Sequence, residues 1–103
     1  MSIVEQTRLH VSKNTEAKNK SRFGQFFTPE RTAAFMTGLF PDASGSCRLL
    51  DAGAGIGSLS AAFLDRWLTG GFHFQSVDLD AFEIDNSLHS YLSKTLEKYN
   101  ILI

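Results

Sequence analysis

The sequence predicts an α/β fold in which parallel strands alternate with helices. A short apolar run at 47–51 (Cys-Arg-Leu-Leu-Asp) leads directly into a glycine-rich turn. Helical periodicity follows from about Ser58 to Leu68, a second strand lies within Phe72–Ile84, and another helical pattern runs from about Asn86 to Tyr99. Strand, glycine turn, helix, strand and helix in this order are typical of the start of a doubly wound sheet.

The residues before the first strand predict further helices. Ile3–Val11 has weak helical character, and Ser12–Ser21 is polar and lysine-rich, which is typical of a linker or a surface helix. Another helix should run from Pro29 to about Phe40, with Thr28 as its N-cap and Pro29 at its first position.

Apolar spacing predicts which helical residues face the core. The expected core residues are Ala33, Met36, Leu39 and Phe40 in the first of these helices, Leu59, Ala62, Phe63 and Trp67 in the second, and Leu88, Tyr91, Leu92, Thr95, Leu96 and Tyr99 in the third. Gly70-Gly71 should end the second helix. Ile101–Ile103 predicts the start of another strand.

Composition indicates one small domain of 103 residues, with 43% hydrophobic residues and nine Phe. The single Cys47 excludes an internal disulfide, and the three His show no spacing suited to a metal site. No apolar run is long enough to span a membrane, and the N-terminus lacks a signal-peptide pattern. We therefore expect a cytoplasmic protein.

Charge is distributed unevenly along the chain. Residues 1–31 hold six basic and three acidic side chains, whereas the remainder holds four basic and eight acidic ones. A basic arm could contact a phosphate polymer such as nucleic acid, or it could be a solvated leader.

The turn from Asp51 to Gly57 predicts a ligand-binding loop. Gly53, Gly55 and Gly57 leave backbone open to a ligand at the start of a helix, as in dinucleotide enzymes. Asp51 would repel a phosphate but attract a cation, so it favours S-adenosylmethionine, which carries an amino group and a sulfonium, over NAD. The alternative is a turn that serves only to pack helix against strand.

A second acid should follow the next strand and bind the ribose hydroxyls. Glu83 lies where that strand should end, just before a helix whose N-cap would be Asp85 or Asn86, and Ile84 could pack on the adenine ring. The alternative ribose acid is Asp78, which would need an earlier strand end.

Three segments in this order resemble adenine-N6 DNA methyltransferases of the gamma arrangement, from restriction–modification systems. Phe23-Gly24-Gln25-Phe26-Phe27-Thr28-Pro29 resembles the segment before their first strand, residues 49–59 resemble their glycine motif, and Ala81-Phe82-Glu83-Ile84-Asp85 resembles their ribose-binding strand end. The likeness covers about residues 20–100.

The resemblance implies a partial Rossmann-like methyltransferase fold, with a basic arm at 1–22 and the first part of a cofactor domain at 23–103. Phe27, Thr28 and Pro29 would lie over the methionine end of S-adenosylmethionine, while Asp51, Gly53, Gly55 and Gly57 would form its loop. Glu83 would bind the ribose and Ile84 the adenine. DNA would be the partner of the longer protein.

One departure from the family concerns catalysis. The family's Asn/Asp-Pro-Pro-Tyr/Phe motif is absent, because the only prolines are Pro29 and Pro41. The chain therefore resembles an N-terminal piece, expected to be inactive alone and to bind S-adenosylmethionine weakly or not at all, because later strands would supply the remaining walls of the pocket. Three alternatives stay open: a methyltransferase for protein or RNA, an NAD- or FAD-binding domain, and a non-enzymatic module that dimerises through an exposed strand at Ile101–Ile103.

Overall fold

The computed structural model describes residues 2–14 and 28–102, and the side chains of 2–12 and 28–99. In chain order its elements are helix α1 (Ile3–Asn14), helix α2 (Glu30–Gly38), strand β1 (Ser44–Ala52), helix α3 (Ser58–Leu68), strand β2 (His73–Phe82), a 3-10 turn (Asn86–Leu88) and helix α4 (His89–Leu102). The predicted α/β class is confirmed for these residues. Most of the expected linker at 12–21 lies outside them.

The sheet consists of β1 and β2, which pair in parallel within the described part of the chain. Their register runs from Ser44 opposite His73 to Ala52 opposite Phe82, with a shift between Gly45 and Ser46. Strand β1 thus begins three residues earlier than its apolar run indicates. The polar residues at 44–46 join the sheet through backbone pairing, which the hydrophobic pattern does not report.

The core lies between one face of the sheet and a layer of helices. Its buried cluster comes from α1, the glycine turn, α3, the 3-10 turn and α4, and comprises Val4, Val11, Ile56, Ala61, Leu64, Leu88 and Tyr99. The predicted apolar stripe of α4 is confirmed, since Leu88, Leu92, Thr95 and Tyr99 are buried and Tyr91 and Leu96 pack against the cluster. Helix α1 therefore packs in the same core as the predicted cofactor segment.

A group of phenylalanines packs beneath the end of α3. The Phe63 ring centroid lies 4.7 Å from that of Phe72 and 5.7 Å from that of Phe40. The Arg66 guanidinium lies over the Phe72 ring, and its Nη1 donates to the carbonyls of Thr37 and Phe40 at 2.6 and 2.7 Å. Arg66 thus binds carbonyl oxygens at and just beyond the C-terminal end of α2, where few backbone donors remain within the helix.

Helix α2 differs from its prediction at both ends. Pro29 occupies the N-cap position without a side-chain cap, so the assignment of Thr28 as N-cap is wrong. Of the expected core residues only Ala33 is buried; Met36, Leu39 and Phe40 are 40%, 69% and 51% exposed. The helix ends at Gly38, so the last two leave its periodicity, and α2 instead buries the small residues Ala33 and Thr37.

The predicted strand at the end of the chain is wrong. Ile101 and Leu102 continue α4, and Ile103 lies outside the described residues. No Gly or Pro interrupts the sequence after Asn86, and each residue added to an existing helix gains a hydrogen bond, so the helix extends through this short aliphatic run. Ile101 and Leu102 therefore provide no strand edge for the dimerisation that was expected at Ile101–Ile103.

Candidate functional site

The glycine turn lies at the carboxyl end of β1 and is bonded to the end of β2. The backbone N–H groups of Gly53 and Ala54 both donate to the carbonyl of Phe82 at 2.8 Å. The Gly57 N–H donates to the Ala54 carbonyl at 2.9 Å, and Gly57 is the N-cap residue of α3. The turn is therefore fixed against both strands, at the edge where open α/β sheets bind ligands.

The three predicted glycines all have left-handed backbone conformations, with φ of 73° at Gly53, 58° at Gly55 and 91° at Gly57. A Cβ built at Gly53 would meet no atom within 4 Å, whereas one at Gly57 would lie 3.0 Å from Thr95 Cγ2 and 3.1 Å from Leu92 Cδ1. Gly53 thus leaves open space beside the turn, while Gly57 allows α4 to pack closely. The packing interpretation of the turn is therefore confirmed for Gly57 and does not extend to Gly53.

Glu83 directly follows β2, and its carboxylate contacts the glycine turn. One carboxylate oxygen accepts from Gly55 N–H at 2.9 Å and the other from Asp85 N–H at 2.8 Å. A carboxylate can accept about four hydrogen bonds, so lone pairs remain for a further ligand. Asp78 lies in the middle of β2, exposed and in register with Arg48, which places it away from the glycine turn.

Asp51 is half-buried, and its carboxylate accepts from the hydroxyl of Ser60 at 2.5 Å. Ser60 is 1% exposed, so this bond joins the end of β1 to the first turn of α3 inside the core. Sequence reasoning missed Ser60. Its signal is a small polar residue among the apolar residues of α3, one turn after the glycines.

An apolar surface follows the strand end. Phe82 is 60% exposed and Ile84 is 76% exposed, on either side of Glu83. Asp85 is the N-cap of the 3-10 turn, as predicted, because its side chain accepts from Ser87 N–H at 2.9 Å. The ring Nε2 of His89 lies 2.6 Å from the Glu83 carbonyl oxygen, a contact that the sequence did not indicate.

The predicted segment 27–29 lies only partly within the described residues. Phe27 is outside them; Thr28 is half-buried and Pro29 exposed. Glu30, the next residue, shares a cavity of about 360 Å³ with Ser58 at the start of α3 and Glu5 of α1. The start of α2 therefore lies near the helix that follows the glycine turn.

A second cavity, of about 380 Å³, lies beside β1 and is almost entirely apolar. It is lined by Met36, Thr37, Leu39, Phe40, Leu49, Leu50, Asp51, Leu59, Ser60 and Phe63. Met36 of α2 and Leu39 and Phe40, which follow it, were expected in the core and line this groove instead.

The described part of the chain was also searched for metal-binding groups and for membrane-spanning helices. Residues 2–14 and 28–102 contain no group of three His, Cys, Asp or Glu side chains placed to bind a metal ion. They also contain no helix with the length and apolarity needed to cross a membrane.

Comparison with known proteins finds similarity to two curated methyltransferases. The chain is 46% identical over 97 residues to Type II methyltransferase M.BsuBI of Bacillus subtilis. The aligned segment covers 93% of this chain and 19% of the relative. It is 30% identical over 95 residues to Type II methyltransferase M.PstI of Providencia stuartii, covering 92% of this chain and 18% of the relative. The chain thus spans about a fifth of the length of these relatives. No family model and no solved structure matches it.

Proposed function

We propose that this chain, a homologue of type II methyltransferases, forms the S-adenosylmethionine-binding segment of a DNA adenine-N6 methyltransferase. The homology supports the methyltransferase activity of the longer protein. The resemblance of its three motifs to adenine-N6 enzymes supports the finer assignment. The fold we propose is the first part of a Rossmann-like methyltransferase domain.

The contact between Glu83 and the glycine turn is the observation that carries this proposal. It joins the carboxylate that follows β2 to Gly55 of the turn that follows β1, at the same edge of the sheet. Two neighbouring parallel strands thus present an acid and an open backbone side by side. This combination suits a nucleoside, because its ribose hydroxyls can donate to a carboxylate while the rest of the ligand lies against the backbone.

The described residues fit S-adenosylmethionine on three counts. Gly53 leaves space that a side chain would fill, Glu83 retains acceptor capacity, and Ile84 exposes 76% of its surface beside it for an adenine ring. When bound, the cofactor supplies an electrophilic methyl group. In this proposal Glu83 orients the ribose, Ile84 excludes water from one face of the adenine, and Asp51 favours the cationic methionine end.

DNA binding and adenine methylation are proposed for the longer protein, not for this chain alone. The target base would be flipped from the duplex and its amino group placed in line with the methyl group, so that transfer needs positioning rather than a covalent enzyme intermediate. The chain itself contributes cofactor positioning, and we expect it to show no methyl transfer alone.

Nuclear magnetic resonance tests binding directly on the 103-residue chain. S-adenosylhomocysteine, added to the ¹⁵N-labelled chain, should shift the amide signals of Gly53, Gly55 and residues 83–85. Glu83→Gln should weaken this binding about tenfold, because it replaces a charged acceptor. Asp78→Asn, a matched change in the middle of β2, should leave it unchanged. Equal shifts with NAD, equal effects of the two variants, or no shifts at all would contradict the proposal.

A chimera tests the activity of the longer protein. This chain would replace the matched 97-residue segment of M.BsuBI, and methylated nucleosides in the product DNA would be identified by mass spectrometry. We expect N6-methyladenine from the chimera and from its Asp78→Asn variant, and at least about tenfold less from Glu83→Gln. An active chimera that produces a different methylated base would overturn the adenine assignment alone.

A further inference from the structure

The start of helix α2 is stabilised by a side chain that is remote in sequence. Pro29 occupies the N-cap position in an extended conformation (φ −61°, ψ 152°) and makes no side-chain cap. The first backbone N–H groups of a helix have no partner within the helix. One of them, the Glu30 N–H, donates to Oε2 of Glu5 on α1 at 2.5 Å.

Glu5 is well placed for this contact. It is 7% exposed, and its second carboxylate oxygen accepts from Nε of Arg8 at 2.5 Å and forms an ion pair with the same guanidinium. Glu5 itself lies in the first turn of α1, and its backbone N–H donates to Ser2 Oγ at 3.0 Å. A negative charge at a helix N-terminus is also favoured by the helix dipole.

The position of α1 is fixed independently of this contact. Val4 and Val11 flank Glu5 on α1 and are buried in the core with Ile56 of the glycine turn and Leu64 of α3. The carboxylate of Glu5 is therefore held by the same core that supports the candidate site. It transmits that position to the first residue of α2.

We propose that Glu5 is a positioning residue, which caps α2 from another helix and thereby fixes Thr28 and Pro29, at the start of α2, near the start of α3. Its functional part rests on the proposed S-adenosylmethionine site, since Thr28 and Pro29 are the described residues assigned to the methionine end of the cofactor. Arg8 orients the carboxylate. The N-terminal segment is thus part of the cofactor site's support, and its positive charges are not its only role.

The test measures two signals in the ¹⁵N-labelled chain. Hydrogen exchange of the Glu30 amide reports the cap, and the shift of the Thr28 amide on adding S-adenosylhomocysteine reports the position of the segment. Glu5→Ala should speed Glu30 exchange about tenfold or more, because a hydrogen bond to a charged group is lost. It should also weaken the response of Thr28 to the ligand. Glu5→Gln, which keeps an acceptor of the same shape, should restore much of both.

Glu97→Ala removes an exposed acid from α4 and serves as the control. It should change neither signal. Unchanged Glu30 exchange in Glu5→Ala and Glu5→Gln would overturn the inference, as would equal effects of Glu5→Ala and Glu97→Ala. If Glu30 exchange responds as expected but Thr28 of the unmodified chain does not respond to the ligand, the cap stands and the proposed cofactor site fails.

Discussion

The two faces of the sheet differ in how completely they are covered. On one face, Val77 and Leu79 pack against a helical layer whose core residues, such as Leu64, are at most 9% exposed. On the other face, Leu50 and Phe82 expose 66% and 60% of their surface. Parallel sheets are normally covered on both faces. Among the described residues, one face of the sheet is therefore covered and the other is open.

The open face is not uniform along the strands. Its first part carries polar residues, with Arg48 in register with Asp78, while its apolar residues gather at the carboxyl ends of both strands. Those ends are where the glycine turn and Glu83 lie. The exposed apolar surface thus borders the candidate site, which agrees with a chain that spans about a fifth of its relatives' length. We infer that the helical layer supplies most of the stability of the described residues.

The largest expected effect compares the same substitution on the two faces. Leu64→Ala removes a side chain that is 3% exposed, so it should lower the free energy of unfolding by about 2–5 kcal/mol. Leu50→Ala should change it by less than about 0.5 kcal/mol, because Leu50 is 66% exposed. Urea unfolding followed by circular dichroism measures both.

The comparison fails if the two variants lose similar stability, since the open face would then be covered in solution. A concentration-dependent midpoint for the unmodified chain would identify a second copy as the cover. If Leu64→Ala does not fold at all, Leu64→Met keeps the test available, because this volume-conserving change should cost less than about 1.5 kcal/mol.

A smaller effect separates packing glycines from open ones. Gly57→Ala forces a side chain into a φ of 91° and places its Cβ 3.0 Å from Thr95 Cγ2, so it should lower stability by about 2–3 kcal/mol. Gly53→Ala and Gly45→Ala have φ of 73° and 87° with open space around them, and should cost only about 1–2 kcal/mol.

Ligand binding distinguishes the two open positions. Gly53→Ala should weaken the response to S-adenosylhomocysteine, because its new methyl group occupies the proposed ligand space. Gly45→Ala, at the start of β1, should leave that response unchanged. Equal binding by both variants would assign Gly53 a conformational role only.

Sequence patterns predicted the parts of this fold in which periodicity and packing agree. The bounds of α3, the stripe of α4 and the glycine turn followed from local signals. Helix α2 was harder because its packing uses small residues, and the apolar Met36 and Leu39 point to a groove whose further cover is not in the described chain. The cap from Glu5 joins residues 25 apart in sequence. No local pattern reports such a contact.

The smallest expected effect concerns the tyrosine hydroxyl of the covered layer that donates to a carboxylate. Tyr99 is 2% exposed, and its hydroxyl donates to Asp65 Oδ1 at 2.8 Å. Burial, and then the hydrogen bond and charge of Asp65, raise the pKa of Tyr99 above its ordinary value. Its contribution to stability is therefore complete below the unfolded-state pKa of about 10 and decreases as the pH rises toward the raised folded-state pKa.

Tyr99→Phe should lower stability at neutral pH by about 1 kcal/mol and flatten this alkaline loss. Tyr91→Phe, on the same helix but half-buried, is the matched control and should retain the alkaline loss. Urea unfolding at several pH values from neutral to strongly alkaline measures the difference. An identical pH dependence in the two variants would show that the hydroxyl of Tyr99 reaches water, and hence that the helical layer is less completely closed than the contrast between the two faces requires.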